Sequence, residues 1–226
     1  MTDPANTQKT AVHQHPGLII RHLGLCDYLS TWEAMRAFTA KRDDQTLDEI
    51  WLLQHPAVFT QGQAGRPEHL LDLGETPLVQ SDRGGQVTWH GPGQLVAYVL
   101  IDLRRSGLGV KALVQLLEEV VIRLLAEYGL NAERKPGAPG VYVAGAKIAA
   151  LGLRVRQGCT YHGLSLNHSP DLRVFDRINP CGQPGLAVTS LERLGWPLGL
   201  VGTEYLLAEC LAHSLLDRFD TQEPSV

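Results

Sequence analysis

The run Val141-Tyr-Val143, Ala144-Gly145, Ala146-Lys147-Ile-Ala-Ala-Leu-Gly-Leu-Arg-Val-Arg156, Gln157-Gly158, Thr160-Tyr-His-Gly-Leu-Ser-Leu-Asn167 decides the fold class. Three apolar-rich runs are separated by two-residue turn signals, with no helix-length pattern between them. This predicts consecutive strands over 141–143, 146–156 and 160–167. Upstream, Asn131–Gly140 carries Pro136, Pro139 and two glycines and reads as a loop. Before it, Val110, Leu113, Val114, Leu117, Val120, Val121, Leu124, Leu125 and Tyr128 recur at helical spacing, with Gly129 at the C-terminal stop. Leu95–Leu103, Pro77–Ser81, Glu49–Gln54 and Leu18–His22 read as strands. His55-Pro56 breaks the third of these, and Gln61–Gly65 reads as a loop. A helix is predicted from about Asp27 to Arg42, with Ser30 and Glu33 at capping-box spacing. Downstream, Ser169–Gly185 is irregular, and helices are predicted over Thr189–Leu194 and Thr203–Phe219. Strands cluster instead of alternating with helices as βαβ units. The expectation is an α+β single domain, an α/β mixed sheet over residues 17–219, with loose tails at 1–16 and 220–226.

The 226 residues are 44% hydrophobic and 19% charged, with a formal charge of −4. That suits a globular protein and gives no overall basic field for nucleic acid. Cys26, Cys159, Cys181 and Cys210 form no C-x-x-C pair, and neither a secretory leader nor a membrane-length apolar run is visible. The expectation is a cytoplasmic protein with free thiols and no membrane partner.

Arg83-Gly-Gly-Gln-Val-Thr-Trp-His-Gly-Pro-Gly-Gln94 holds four glycines, one Arg and one His in twelve residues. It is either a ligand-binding loop, where backbone N–H groups can approach closely, or a tight connection between strands. The phosphate-binding spacings G-x-G-x-x-G and G-x-x-x-x-G-K-[ST] are absent from it. Cys181 lies between Pro180 and Gly182 in the irregular segment, as a loop nucleophile or a small buried hydrophobe. Fifteen of the twenty Lys and Arg residues are Arg, so a Lys in an apolar context stands out. Lys147 has the parity of Ala149, Leu151, Leu153 and Val155, an apolar row if no bulge intervenes. Two readings stay open: a desolvated base of lowered pKa, or a strand-end lysine snorkelling to water, which its position favours. His90 reads as facing a site and His162 as a core histidine. A zinc site from His90, His162, His168 and Cys181 matches no usual ligand spacing.

Taken together, Arg83–Gln94, Gly140-Val-Tyr-Val143, Gly145-Ala-Lys147-Ile-Ala149, Leu151-Gly-Leu-Arg154, His162-Gly-Leu164, Leu166-Asn167 and Arg177-Ile-Asn-Pro-Cys181-Gly182 resemble the octanoyltransferases of lipoate biosynthesis, the LipB family. The resemblance runs in order over roughly residues 18–215. It implies a fold related to the catalytic domains of biotin and lipoate protein ligases. It implies octanoyl transfer from acyl carrier protein to a lysine of lipoyl domains, those of 2-oxoacid dehydrogenase complexes and the glycine cleavage H protein. Cys181 would carry the acyl thioester, and Lys147 would generate or stabilise its thiolate. Arg83, Gly84, Gly85, Gln86, Val87, Thr88, Trp89, His90, Ala150, Leu151, Gly152, Gly163, Leu164 and Ser165 would bind substrate. Trp89 would meet the acyl chain, Arg83 and His90 would orient it, and backbone N–H groups near 150–152 or 163–165 would face the oxyanion. Neither ATP nor metal is implied, because the donor on phosphopantetheine is already a thioester. The competing readings are an ATP-dependent lipoate or biotin ligase and a noncatalytic acyl- or lipoyl-domain-binding protein. The family often has an acidic residue where Ala144 stands and commonly Tyr where Trp89 stands.

Overall fold

Period-two alternation sorts the central strands onto two faces, and each face has its own helices. The computed structural model describes residues 11–220. In chain order the elements are β1 (Ala11–His15), β2 (Leu18–Leu25), α1 (Tyr28–Lys41), β3 (Asp48–Gln54), β4 (Val58–Gln61), β5 (Leu78–Gln80), β6 (Val87–His90), β7 (Gln94–Leu100), α2 (Val110–Ala126), β8 (Ala132–Lys135), β9 (Ala138–Val143), β10 (Ala146–Arg156), β11 (Cys159–Asn167) and α3 (Leu200–Asp220). Eight strands form one mixed sheet in the order β1-β2-β3-β7-β11-β10-β9-β8, and β5-β4-β6 form a second, small sheet. Among the described residues, only β2–β3 is parallel in the large sheet. The α+β mixed sheet read from the sequence is therefore present.

Ile50, Leu52, Leu95, Ala97, Val99, Leu164 and Leu166 share one face with Leu117, Val121 and Leu124 of α2 and Leu207, Leu211 and Leu215 of α3. Their neighbours in sequence, Trp51, Leu53, Val96, Tyr98 and Tyr161, turn to the other face and meet Met35 of α1. Each such aliphatic side chain, once buried, stabilises the fold by about 1.5–3 kcal/mol. The small sheet has a separate core of Phe59, Val87, Trp89, Phe175 and Ile178.

Several local expectations change. Residues 11–15, read as part of the tail, pair with β2 as β1; the rest of that tail and residues 221–226 lie outside the described residues. Helix α1 is capped by Asp27, whose carboxylate accepts from Ser30 N–H, so Ser30 sits inside the first turn. The loop 131–140 is a hairpin of β8 and the start of β9. Four residues of the glycine-rich run, Val87–His90, form β6, paired with β4. The helix predicted over 189–194 shrinks to a single 3-10 turn, Glu192–Leu194, which Gly195 ends with φ +74°.

Candidate active site

Strand β10 begins after a turn in which Ala144 and Gly145 both have positive φ. Its register slips between Lys147 and Ala149, so the parity that linked Lys147 to the apolar row is broken by a bulge. The Lys147 backbone is held by the segment after Cys181: its N–H donates to Ala187 O (2.8 Å), and its carbonyl accepts from Thr189 N–H (2.9 Å). The side chain is buried and does not snorkel. Nζ donates to Pro139 O (2.9 Å) and to Cys181 Sγ (2.9 Å), and lies 5.2 Å from the Tyr142 ring centroid.

Cys181 sits in a single 3-10 turn, Pro180–Gly182, with its own backbone left-handed at φ +55°. A non-glycine residue held there marks a constrained position. The turn is anchored by Asn179 N–H on His69 O and by Gly182 N–H on Asn179 O, both 2.9 Å. Burial pushes the Lys147 ammonium down, as the lowered-pKa reading expected. The charge of Cys181 and its hydrogen bond, with Tyr142, outweigh burial and leave Lys147 raised above its ordinary value. A buried lysine whose neighbours accept its hydrogen bonds keeps its proton. Lys147 therefore presents an ammonium to Cys181 Sγ at 2.9 Å.

A cavity of about 300 Å³ opens beside the pair. That size lies at the lower end of small-ligand sites. Arg83, Gly84, Gly85, Gln86, Val87, Thr88, His90, Ala150, Leu151, Gly152, Gly163, Leu164 and Ser165 line it, together with Lys147 and Cys181. Trp89 does not. On β6, Thr88 and His90 turn to the cavity while Trp89 packs edge-on to Phe175, 5.9 Å between ring centroids, in the small core. Arg83 is buried, and its guanidinium donates to Thr60 Oγ1, Thr60 O, Gly84 O and Gln86 O. Four of its five N–H donors shape the loop, so it reads chiefly as scaffold for the wall. His90 bonds Gln94 Oε1 through Nδ1 at 2.7 Å, and burial holds its pKa well below the ordinary value, so the ring is neutral. His162 is buried at φ +60° and bonds Asp82, yet it too lines the cavity. Among the described residues no group of three or more His, Cys, Asp or Glu side chains is arranged to hold a metal.

The sequence reading missed Asp82, Tyr28, His55, Tyr98 and Pro139. Asp82 receives His162 Nε2 (2.9 Å), Trp32 Nε1 (2.8 Å) and the Tyr161 hydroxyl, and so ties the start of the glycine-rich loop to α1 and β11. Burial alone would raise its carboxyl; these donors pull it down to about 2. Gly84 N–H then donates to Leu153 O (3.0 Å), laying the loop along β10. His55 joins Tyr98 OH to Cys26 O, and burial lowers it to about 4. An Asp immediately before Arg-Gly-Gly was the one available signal for the tie.

The family model of the lipoyl protein ligase A/B catalytic domain matches residues 27–200. An octanoyltransferase of Halorhodospira halophila is 60% identical over 205 residues, covering 88% of this chain and 94% of its own. The chain belongs to the octanoyltransferase family. A second family member, from Thiobacillus denitrificans, is 55% identical over 204 residues, covering 90% of this chain and 94% of its own. The octanoyltransferase fold is shared with more distant solved structures. A putative lipoate protein ligase of Thermoplasma acidophilum with bound lipoic acid superposes with a TM-score of 0.71 at 15% identity, covering 87% of this chain and 85% of that one. A biotin protein ligase of Aquifex aeolicus gives 0.53 at 13% identity, covering 91% and 72%. The chain is thus an acyltransferase by family and ligase-like in fold. Among the described residues no helix is long and apolar enough to cross a membrane.

Proposed function

We propose that this protein transfers an octanoyl group from acyl carrier protein to a lysine of a lipoyl domain, through a thioester on Cys181. The observation that carries the reading is the 2.9 Å contact between Lys147 Nζ and Cys181 Sγ at the edge of the cavity. The Cys181 thiolate attacks the carbonyl of the octanoyl thioester on phosphopantetheine. The C–S bond to the carrier breaks, its thiolate takes a proton from the Lys147 ammonium, and octanoyl-Cys181 remains. The acceptor lysine amine then attacks this second thioester. Lys147, now neutral, accepts the amine proton as the C–N bond forms, and Cys181 leaves as the thiolate.

Each tetrahedral intermediate needs donors for its oxyanion. The N–H groups of 163–165 are poor candidates, because β11 is paired on both sides there, with β10 and β7. Beyond Ala149, β10 has no β9 partner on its outer edge. Leu153 turns its carbonyl to that edge to accept Gly84 N–H. Leu151 has the same parity, so its N–H is the donor favoured for the oxyanion. An octanoyl tail buried in the cavity gains about 0.8 kcal/mol per methylene, so the tail itself anchors the substrate.

The partners under this reading are octanoyl-acyl carrier protein and lipoyl domains of 2-oxoacid dehydrogenase complexes and the glycine cleavage H protein, in the cytoplasm. No ATP or metal takes part. Intact mass after mixing with octanoyl-acyl carrier protein, without nucleotide, tests it. An octanoyl adduct on the wild type that is absent from Cys181→Ala and is discharged by apo lipoyl domain is the expected result. Transfer only on adding ATP would instead favour ligase chemistry, which the fold also hosts. No adduct and no transfer would leave a binding protein.

A further inference from the structure

The dyad leaves one buried carboxylate beside it unused. Glu118, on α2, is only 5% exposed. Its Oε1 accepts the Gly140 N–H at 2.8 Å, and its Oε2 faces Arg134 Nε at 3.2 Å. The Gly140 N–H and the Pro139 carbonyl belong to one peptide unit, planar and conjugated. That carbonyl accepts Lys147 Nζ at 2.9 Å, and the same Nζ lies 2.9 Å from Cys181 Sγ. Glu118, the peptide, Lys147 and Cys181 therefore form one line of hydrogen bonds, in which a charge at one end strengthens the next donor or acceptor. Gly140 holds φ +138° in this line, and a Cβ there would lie 2.9 Å from Lys147 Cε. A side chain at this position would force the peptide and the lysine apart.

We propose that Glu118 is a positioning residue for Lys147: its carboxylate fixes and polarises the Pro139–Gly140 peptide, whose carbonyl keeps Lys147 an ammonium aimed at Cys181. The inference rests on the Cys181–Lys147 reading above. The other groups facing this line are the Tyr142 ring beside Lys147, Lys135, which sits 4.4 Å from the same ring, and Arg134, which binds both Glu118 and Glu119. If Glu118 serves only to satisfy Gly140 and Arg134, its charge has no effect on the titration of the dyad.

The test is the pH dependence of alkylation of Cys181 by iodoacetamide, read by peptide mass on the full chain. Glu118→Gln keeps an oxygen for Gly140 N–H and removes the charge. The pH of half-maximal alkylation is expected to rise by about one unit, with the rate below it falling about tenfold. In octanoyl transfer kcat falls, while KM for octanoyl-acyl carrier protein stays within about twofold. A profile that superimposes on the wild type overturns the proposal. Should Glu118→Gln not fold, the part-exposed Arg134→Gln decides: freed of its cation, Glu118 should move the profile to lower pH, and an upward shift or none overturns it. Lys147→Ala is measured alongside. If Lys147→Ala leaves the profile unmoved, the dyad itself is wrong; if it moves the profile and Glu118→Gln does not, only the role of Glu118 fails.

Discussion

Gly140→Ala probes the site through backbone geometry alone. The native φ of +138° is one that L residues rarely adopt, and holding alanine there costs about 1–3 kcal/mol. The added Cβ would also stand 2.7 Å from Ala149 O and 2.9 Å and 3.1 Å from Lys147 Cε and Nζ. Ala149 belongs to a paired strand and does not yield, so the lysine end moves. A displacement of several tenths of an ångström takes Nζ beyond hydrogen-bond distance of Cys181 or Pro139. Strain and contact together predict a loss of about 2–4 kcal/mol, which for a chain of this length lowers Tm by about 5–15 °C. Thermal unfolding followed by circular dichroism measures the first part. The rate of octanoyl-Cys181 formation, taken well below the variant's Tm, measures the second and should fall at least about tenfold. A variant with a Tm within about 2 °C of wild type and full acylation would show that Gly140 tolerates a side chain and that the close packing around Lys147 is not required.

Trp89→Phe should lower stability, by about 1–3 kcal/mol, and leave the acyl-chain-length profile unchanged, because the ring packs in the small core and not in the cavity; a shifted profile in competition between acyl donors would put Trp89 back in the site. Asp82 has a folded pKa of about 2, below its unfolded value. Its contribution to stability is therefore present above about pH 4 and is lost as pH falls toward 2. Asp82→Asn should be less stable at neutral pH and lose less further stability over that acid range than the wild type. Equal acid sensitivity in urea titrations at pH 6 and pH 3 would contradict this.

How much of the molecule was legible varied with how local the deciding physics is. Strand β10 was read at its observed bounds, since glycine turns flank it and its length is unusual for a loop. Strands β4 and β6 were missed: each is four residues long, and β6 lies between glycines, where composition alone reads as connection. The hairpin of β8 and β9 was hidden by Pro136 and Pro139, which sequence rules assign to loops. Cys181 stood out by its Pro-Cys-Gly context and through the family motifs, but its relation to Lys147 is tertiary. The face of Lys147 could not be read by counting, because a bulge resets the count at that residue. Trp89 went the same way for a different reason: with β6 unrecognised, nothing in the sequence indicated that Trp89 and His90 face opposite sides. The peptide that receives Lys147 carries no side-chain signal at all.

The two walls of the cavity differ in how their backbones are held. On one side β11 is laddered to β10 from Cys159 to Leu166 and to β7 from Gly163 to Asn167, and Gly163 lets Ala97 O come so near that an added Cβ would lie 2.0 Å away. On the other side the thiol rides on a single turn, tied by a few hydrogen bonds to neighbouring loops. The tail of a substrate is thus gauged against laddered backbone, while the reacting sulfur is carried by one left-handed turn residue. An inhibitor shaped to the laddered wall should gain selectivity for chain shape, and one that reacts with the sulfur must approach it along the one direction that the turn presents.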